Sequence, residues 1–433
     1  MNNKIFKQMR HDGASNLWLI IELIILSSVA WWMGFYFWNN LSVRLKPYGL
    51  DINNVYKLEI KTYSEDSPLH KESRFYVPAG FEDASEEKIG RKIIVDALEE
   101  SPLVVAVTPY KNAPVYSFVF QGNNFWEVSD TAQNYSANSN CMQIGPDFFK
   151  VFPTTGIHGE SAERLNEIAN SLQWIVTSNT QTIADPEFKG DPDRLYNLKV
   201  TKDKKKTNTI GAVIPPVKRV DFEDPDHSTL FVPREGKYSD DIIYVRVQSG
   251  KSEEFEQYLA ELNKELIADG NSSILSIKRM EKIREDMNSG PNAELINYVA
   301  CILFLILMIF LGILGTFWYR TRQRIHEIAI RKVTGATNGS IFMRLLSEGL
   351  ILLLIATPFA LGIDWYLLMG ELGSVSDLGD NPLAISKYYQ TCTTGVRVAL
   401  ITFMTMALII IAGISLPARK AVRVDPAEVL RGE

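Results

Sequence analysis

Glu327-Ile328-Ala329-Ile330-Arg331-Lys332-Val333-Thr334-Gly335-Ala336-Thr337 is the stretch on which the reading of this chain turns. Its charged residues recur with helical spacing, and Gly335 follows as a helix stop. It lies within 320–344, between two apolar runs that are each long enough to cross a bilayer. A short amphipathic helix held at a membrane surface gives a partner protein something to push.

Outward from this stretch, the apolar residues fall into blocks. Leu17 to Trp38 holds Glu22 as its one charge, and Leu295 to Tyr319 holds none. Leu346 to Met369 holds Glu348 near one end and Asp364 near the other, and Val396 to Leu416 has Arg397 at its start. At about 1.5 Å per residue each run reaches roughly the 30 Å of a hydrocarbon core. A charged fraction of 22% would suit a soluble protein, but clustering of the apolar residues outweighs that average. The predicted spans are 17–38, 295–319, 345–369 and 396–416.

Lys4, Lys7 and Arg10 before the first span would suit a signal peptide too. The run is longer than a signal core, however, and closes on Trp31, Trp32, Phe35, Tyr36, Phe37 and Trp38 without a small-residue cleavage site. An uncleaved anchor is expected. Cations near the spans set the orientation. Arg320, Arg322, Arg324, Arg331, Lys332 and Arg344 lie in 320–344, and Arg419, Lys420, Arg423 and Arg431 lie in 417–433. Segment 370–395 has only Lys387, against Glu371, Asp377 and Asp380. The N-terminus 1–16, the 320–344 loop and the 417–433 tail are thus expected inside, with 39–294 and 370–395 outside.

The outer segment repeats a pattern at its two ends. Val55–Thr62 alternates like a strand, Ala84–Glu99 is helical, and Leu103–Thr108 has strand length. Near its end come the strand Ile242–Val247, a helix over Lys251–Ala268 with Phe255, Leu259, Leu262 and Leu266 on one face, and the strand Ser273–Ile277. The expected fold is an α+β membrane protein. Four transmembrane helices carry, between the first and second, an extracytoplasmic domain of split ferredoxin-like βαβ units with a mainly β insertion over about 122–235. Trp174–Thr177 and Thr209–Val213 are strand candidates in that insertion. Lys202, Asp203, Lys204, Lys205 and Lys206 are read as a solvated hairpin tip. A helical stalk over 278–294 leads through Gly290-Pro291 to the second span.

The sequence offers no catalytic constellation and no cofactor or metal motif. Gly335-Ala336-Thr337-Asn338-Gly339-Ser340 lacks the lysine and preceding strand of a phosphate loop. The five histidines are scattered, and neither H-E-x-x-H nor C-x-x-C occurs. The net charge of −6 carries little information about partners, and no nucleic-acid partner is expected. Cys301 reads as packing within a span, and a Cys141–Cys392 disulfide is left open. Glu22 and Asp364 read as snorkelling or helix-packing groups, Pro358 as a kink, and Gly312 and Gly315 as permitting close helix approach, a sign of oligomerisation.

The 327–337 segment resembles the E-I-G-I-R-K-A-L-G-A-[ST] pattern of the FtsX-like permease family, with Ala329 for its glycine and Val333-Thr334 for its Ala-Leu. Pro417-Ala418-Arg419 through Arg431 is similar to the family ending P-A-R-x-A-x-x-x-x-P-x-x-x-L-R. Gly145-Pro146-Asp147-Phe148-Phe149 is similar to the V-[ST]-P-x-[YF]-F motif of MacB-like outer domains, whose closing Gly-Arg appears here only as Gly159-Glu160. Glu348 also has a family counterpart. The resemblance implies a type VII, mechanotransmission permease without ATPase activity of its own, in a bacterial inner membrane with its large domain in the periplasm. Two copies, as a homodimer or close heterodimer, would bind a separate cytoplasmic ABC ATPase. Glu327, Arg331 and Lys332 would face that ATPase, and Gly335 and Ala336 would end the coupling helix. Arg419, Lys420 and Arg423 would either touch the ATPase or anchor the tail to lipid. Export or efflux, lipoprotein release, and a periplasmic adaptor with an outer-membrane channel all stay open. So does a membrane receptor that senses a ligand without transport.

Overall fold

The computed structural model describes residues 13–63, 84–112, 115–119, 121–128, 136–180, 191–201, 207–223, 228–238, 242–269, 272–372, 382–425 and 429. The 202–206 charge run lies outside them. The chain divides into two compact units, Val43–Pro291 and the combination of Met1–Ser42 with Asn292–Glu433.

In the Val43–Pro291 unit the strands are β1 (Val55–Thr62), β2 (Val104–Asn112), β9 (Ile242–Val247) and β10 (Ser272–Arg279), with helices α2 (Glu86–Glu100) and α5 (Ser252–Asp269). Their order, β10-β1-β9-β2, is antiparallel throughout. Each βαβ unit is therefore split by a strand of the other, as the paired end patterns of the sequence led us to expect. Strand alternation sorts the side chains. Tyr56, Leu58, Ile60, Ile243, Val245 and Val247 turn toward Ile94, Val95 and Leu98 of α2 and Phe255, Leu259, Leu262 and Leu266 of α5. Val55 and Tyr244 turn to the other face and a second core. Each such side chain contributes about 1.5–3 kcal/mol when fully buried.

The insertion between β2 and β9 holds β3 (Gly122–Glu127), β4 (Ser136–Ile144), β5 (Trp174–Thr177), β6 (Lys199–Thr201), β7 (Thr207–Ile214) and β8 (Ser228–Pro233). It extends the sheet through β2–β4 pairing and is mixed, since β4–β8 and β5–β7 run parallel. Its described residues also carry the helices α3 (Phe148–Val151) and α4 (Ala162–Asn170) and a 3-10 turn at Pro192–Leu195. The segment read as MacB-like is structural. Phe148, Phe149, Val151 and Phe152 are all fully buried, and Phe148 packs against Tyr110 and Phe231. Gly145 is needed there, because a Cβ would stand 2.6 Å from Pro109 O.

A polar knot closes this unit. Lys218 is 2% exposed, and its ammonium donates to the carbonyls of Val43, Lys46 and Asp221 at 2.5, 2.7 and 3.3 Å. Asp221 accepts from Arg284 Nε and Nη2 at 2.6 and 3.0 Å and from Asn288 Nδ2 at 2.8 Å. Burial acts to raise the Asp221 carboxyl, but the Arg284 and Asn288 hydrogen bonds and the Arg284 charge outweigh it. Its pKa falls below the ordinary 3.8. A depressed carboxyl stabilises the fold above its unfolded pKa and loses that contribution as pH falls through the folded value. Asp221→Asn is therefore expected to destabilise the chain by about 1–3 kcal/mol at neutral pH. It should also flatten the loss of stability below about pH 4, as read by denaturant unfolding at stepped pH.

The other unit takes α1 (Gly13–Leu45) up to Ser42, α6 (Met280–Gln323) from Asn292, and all of α7 (Ile325–Val333), α8 (Asn338–Leu372) and α9 (Pro382–Arg423). The helices α1, α6, α8 and α9 are each long and apolar enough to cross a membrane. Leu23, Ile309, Ile313, Leu352, Met406 and Ile410 fill their common core. Trp18, Phe304, Tyr366 and Leu400 are 64–78% exposed, an outward apolar surface suited to lipid.

Several helices run past the limits expected from the sequence. α6 begins at Met280 and continues through Pro291, so residues 278 and 279 belong to β10 and no break separates stalk from span. α8 and α9 extend into 370–395, and α9 passes Pro417 to Arg423. Apolar runs mark the hydrocarbon-spanning length, whereas helical hydrogen bonding continues into polar flanks. Close approach occurs at Gly349, where a Cβ would stand 2.3 Å from Ile414 Cδ1, and at Gly413, 3.0 Å from Ile313. Within the chain Gly312 and Gly315 are less tightly packed: the nearest atom to a Gly312 Cβ is Glu22 Oε1 at 3.4 Å, and Gly315 has none within 4 Å.

Candidate functional site

The site is the turn from α6 through α7 to α8, with the end of α9 against it. Ile328 and Ala329 are the buried residues of α7. Ile328 packs with Ile341, Ala421 and Val422, and Ala336 lies alongside. That cluster fixes which face of α7 looks outward. His326, Ile330 and Val333 lie on the outer face at helical spacing, with Ile330 54% and Val333 65% exposed.

Beneath the turn sits a buried ion cluster. Glu348 of α8 is 8% exposed, and Arg324 Nη1 lies 3.0 and 2.8 Å from its two carboxylate oxygens. Arg320, 7% exposed, brings Nη1 to 3.7 Å from Glu348 Oε1. These residues tie the last turn of α6 to α8 and leave α7 as the projecting arm.

The C-terminus of α7 is a Schellman turn. Gly335 takes φ +96°, its N–H bonds to Lys332 O at 3.0 Å, and the Ala336 N–H bonds to Arg331 O at 2.9 Å. Thr337 then caps α8, its Oγ1 accepting from the Ser340 N–H at 3.3 Å. Gly335→Val would place a branched side chain in left-handed backbone and is expected to cost about 1–2 kcal/mol. The unfolding midpoint of the full chain in detergent should fall, while Gly335→Asn, which tolerates that conformation, should lose less.

The structure places each residue singled out from the sequence. Glu327 Oε1 accepts from Arg331 Nε and Nη2 at 3.0 and 2.6 Å, an i,i+4 pair along α7. Lys332 Nζ donates to Val424 O at 3.0 Å, so its charge is engaged at the end of α9. Lys420 Nζ stands 4.9 Å over the Trp318 ring, while Arg419 and Arg423 are exposed. Trp318, Arg322, Ile325, Pro417, Lys420 and Val424 line a cleft of about 150 Å³ beside α7. The turn and the tail, far apart in sequence, thus form one surface. Reading the charges alone missed Ile330 and Val333, although their i,i+3 spacing within an amphipathic helix was a usable signal.

The FtsX-like permease C-terminal family matches residues 299–426. A Bacillus subtilis (strain 168) protein described as an uncharacterized ABC transporter permease, YknZ, is 34% identical over 123 residues. That segment is 28% of this chain and 28% of that protein's length. Among solved structures, the periplasmic region of MacB from Actinobacillus actinomycetemcomitans aligns over 57% of this chain and 97% of its own, at 13% identity and a TM-score of 0.32. The extracellular domain of a noncanonic ABC-type transporter YknZ from Gram-positive bacteria aligns over 51% and 100%, at 11% identity and a TM-score of 0.29. Residues 299–426, which carry α7, the buried Glu348 cluster and the helical tail, are thus the part of the chain that is similar to FtsX-like permeases.

Proposed function

We propose that this chain is the transmembrane permease subunit of an ABC transporter, working with a separate ATPase and carrying no nucleotide site of its own. The observation that carries this reading is the projecting α7. It offers an apolar stripe, Ile330 and Val333, edged by the Glu327–Arg331 pair, and is backed by the buried Glu348 cluster. An arm stiffened on its inner side and apolar on its outer side suits a partner that delivers force. The match of this region to FtsX-like permeases supports the same reading.

In this account α7 and the α9 tail face the cytoplasm and the Val43–Pro291 unit lies across the membrane, in keeping with the Lys and Arg distribution. ATP-driven movement of the spans would act on the outer unit, and two copies of the chain would sit over two ATPase subunits. Export or release of cargo would follow from that movement.

Gentle detergent extraction of the full chain from its native membranes tests the proposal. Recovery of a protein bearing a phosphate-binding loop, in stoichiometric amount and with ATPase activity, is the expected result. Intact chain with no such partner would sink the proposal and favour a receptor that senses a ligand without transport.

A further inference from the structure

The cleft beside α7 brings together two cations from different helices, Arg322 of α6 and Lys420 of α9. Their neighbours in the turn spend their charge within the protein. Arg320 and Arg324 face Glu348, Arg331 pairs with Glu327, and Lys332 donates to Val424 O. Arg322 is exposed, and among the described residues no carboxylate stands within ion-pair distance of it or of Lys420. Lys420 instead rests its Nζ 4.9 Å over the Trp318 ring, which holds the charge in place without neutralising it.

Both cations stand at the depth of a lipid headgroup. The uncharged run Leu295–Tyr319 ends three residues before Arg322, and the apolar run Val396–Leu416 ends four before Lys420. At about 1.5 Å rise per residue they lie roughly 5–6 Å beyond the hydrocarbon limit. The face of α6 that carries Arg322 also carries Phe304, Met308, Leu311 and Gly315 at helical spacing, and all four are exposed. An outward apolar stripe thus leads along the span to this cation. Leu416, one turn before Lys420, is exposed as well.

Two cations flanking one cleft suit a phosphate, which accepts charge-assisted hydrogen bonds from both. A soluble phosphate would use the cations alone. The rest of the cleft is apolar, with Trp318, Ile325 and Pro417 in its wall, and the α6 stripe continues that surface into the hydrocarbon region. Only an amphiphile matches both parts. Basic pockets between spans, on the side where cations cluster, are the sites that take anionic lipid headgroups. An aromatic ring at the edge of the hydrocarbon suits the ester region between headgroup and chains.

We propose that this cleft binds one phospholipid whose headgroup carries net negative charge. Its phosphate lies between Arg322 and Lys420, Trp318 faces its ester region, and one acyl chain follows the Phe304–Gly315 stripe of α6. The lipid ties the end of α6 to the end of α9 beside the projecting α7. This site needs insertion in a membrane but not the ATPase, so it stands or falls apart from the coupling role of α7.

The test is native mass spectrometry of the full chain in detergent, titrated with equal amounts of phosphatidylglycerol and phosphatidylcholine bearing the same acyl chains. The first lipid retained is expected to be phosphatidylglycerol, by about 20-fold. Arg322→Gln and Lys420→Gln should each lower that preference about 5-fold, and together abolish it. Both side chains are exposed, so these variants should unfold in lipid-free detergent with wild-type midpoints. Arg419→Gln with Arg423→Gln removes as much charge from the tail outside the cleft and should leave the preference intact. Glycerol 3-phosphate should not displace the lipid. No preference in wild type, an equal loss in the Arg419, Arg423 variant, or displacement by glycerol 3-phosphate would each overturn the proposal. A variant lacking both Arg322 and Lys420 that keeps the lipid preference but loses a second copy or an ATPase would also overturn it, giving the cleft to a protein partner.

Discussion

Glu348→Ala is expected to destabilise the helix bundle by about 3–5 kcal/mol, because it removes the buried carboxylate against which two guanidinium groups are held. Two guanidinium groups depend on Glu348. Arg324 is bonded to both its oxygens, and Arg320, almost fully buried, lies within ion-pair distance. The arrangement makes the loss non-additive. Arg324→Met alone leaves Glu348 with Arg320, and adding it to Glu348→Ala removes one of the two cations that had faced the carboxylate. The double variant should therefore be less destabilised than the two single losses combined. Denaturant unfolding of the full chain in detergent measures all three. A Glu348→Ala loss under about 1 kcal/mol, the range of an exposed pair, would contradict this account of the cluster.

Ile330→Glu combined with Val333→Glu carries the second large effect, on assembly rather than stability. Both side chains are more than half exposed on the outer face of α7, away from the packing of Ile328 and Ala329. The exchange should leave the unfolding midpoint within about 1 kcal/mol of wild type. Buried apolar anchors at an interface commonly contribute 2 kcal/mol or more, so recovery of the ATPase should fall by about 30-fold or more. Arg331→Glu should weaken recovery as well, by setting two carboxylates four residues apart on α7. Unchanged recovery with the doubly charged variant would place the partner's contact elsewhere.

Much of the architecture was legible from the sequence because both of its periods are strong. Val55–Thr62, Trp174–Thr177 and Ile242–Val247 form strands over the residues read as strands from the sequence. Phe255, Leu259, Leu262 and Leu266 are the buried face of α5. Helix ends were less legible. The apolar runs place span limits at 295 and 416, whereas α6 and α9 continue through Pro291 and Pro417, since a proline removes one backbone donor and the remaining turns keep their bonds.

Three-dimensional coincidences left still less trace. Val424 lies 92 positions from Lys332, and nothing local in either segment announces that one closes on the other. Asp364 reads as a snorkelling or helix-packing group, and the structure has the packing form, but its partner Ser28 lies 336 positions away and is not announced by the sequence. Long-range pairing of this kind depends on how the helices pack, which periodicity does not encode.

The most direct measurement is photo-crosslinking from position 333 in native membranes. A benzophenone amino acid replaces Val333, and a control places it at Leu275, an exposed position on β10 of the other unit. The account predicts that position 333 crosslinks to a protein carrying a phosphate-binding loop and that position 275 does not. Crosslinks from position 333 confined to lipid, or an ATPase captured equally from position 275, would contradict α7 as the coupling element.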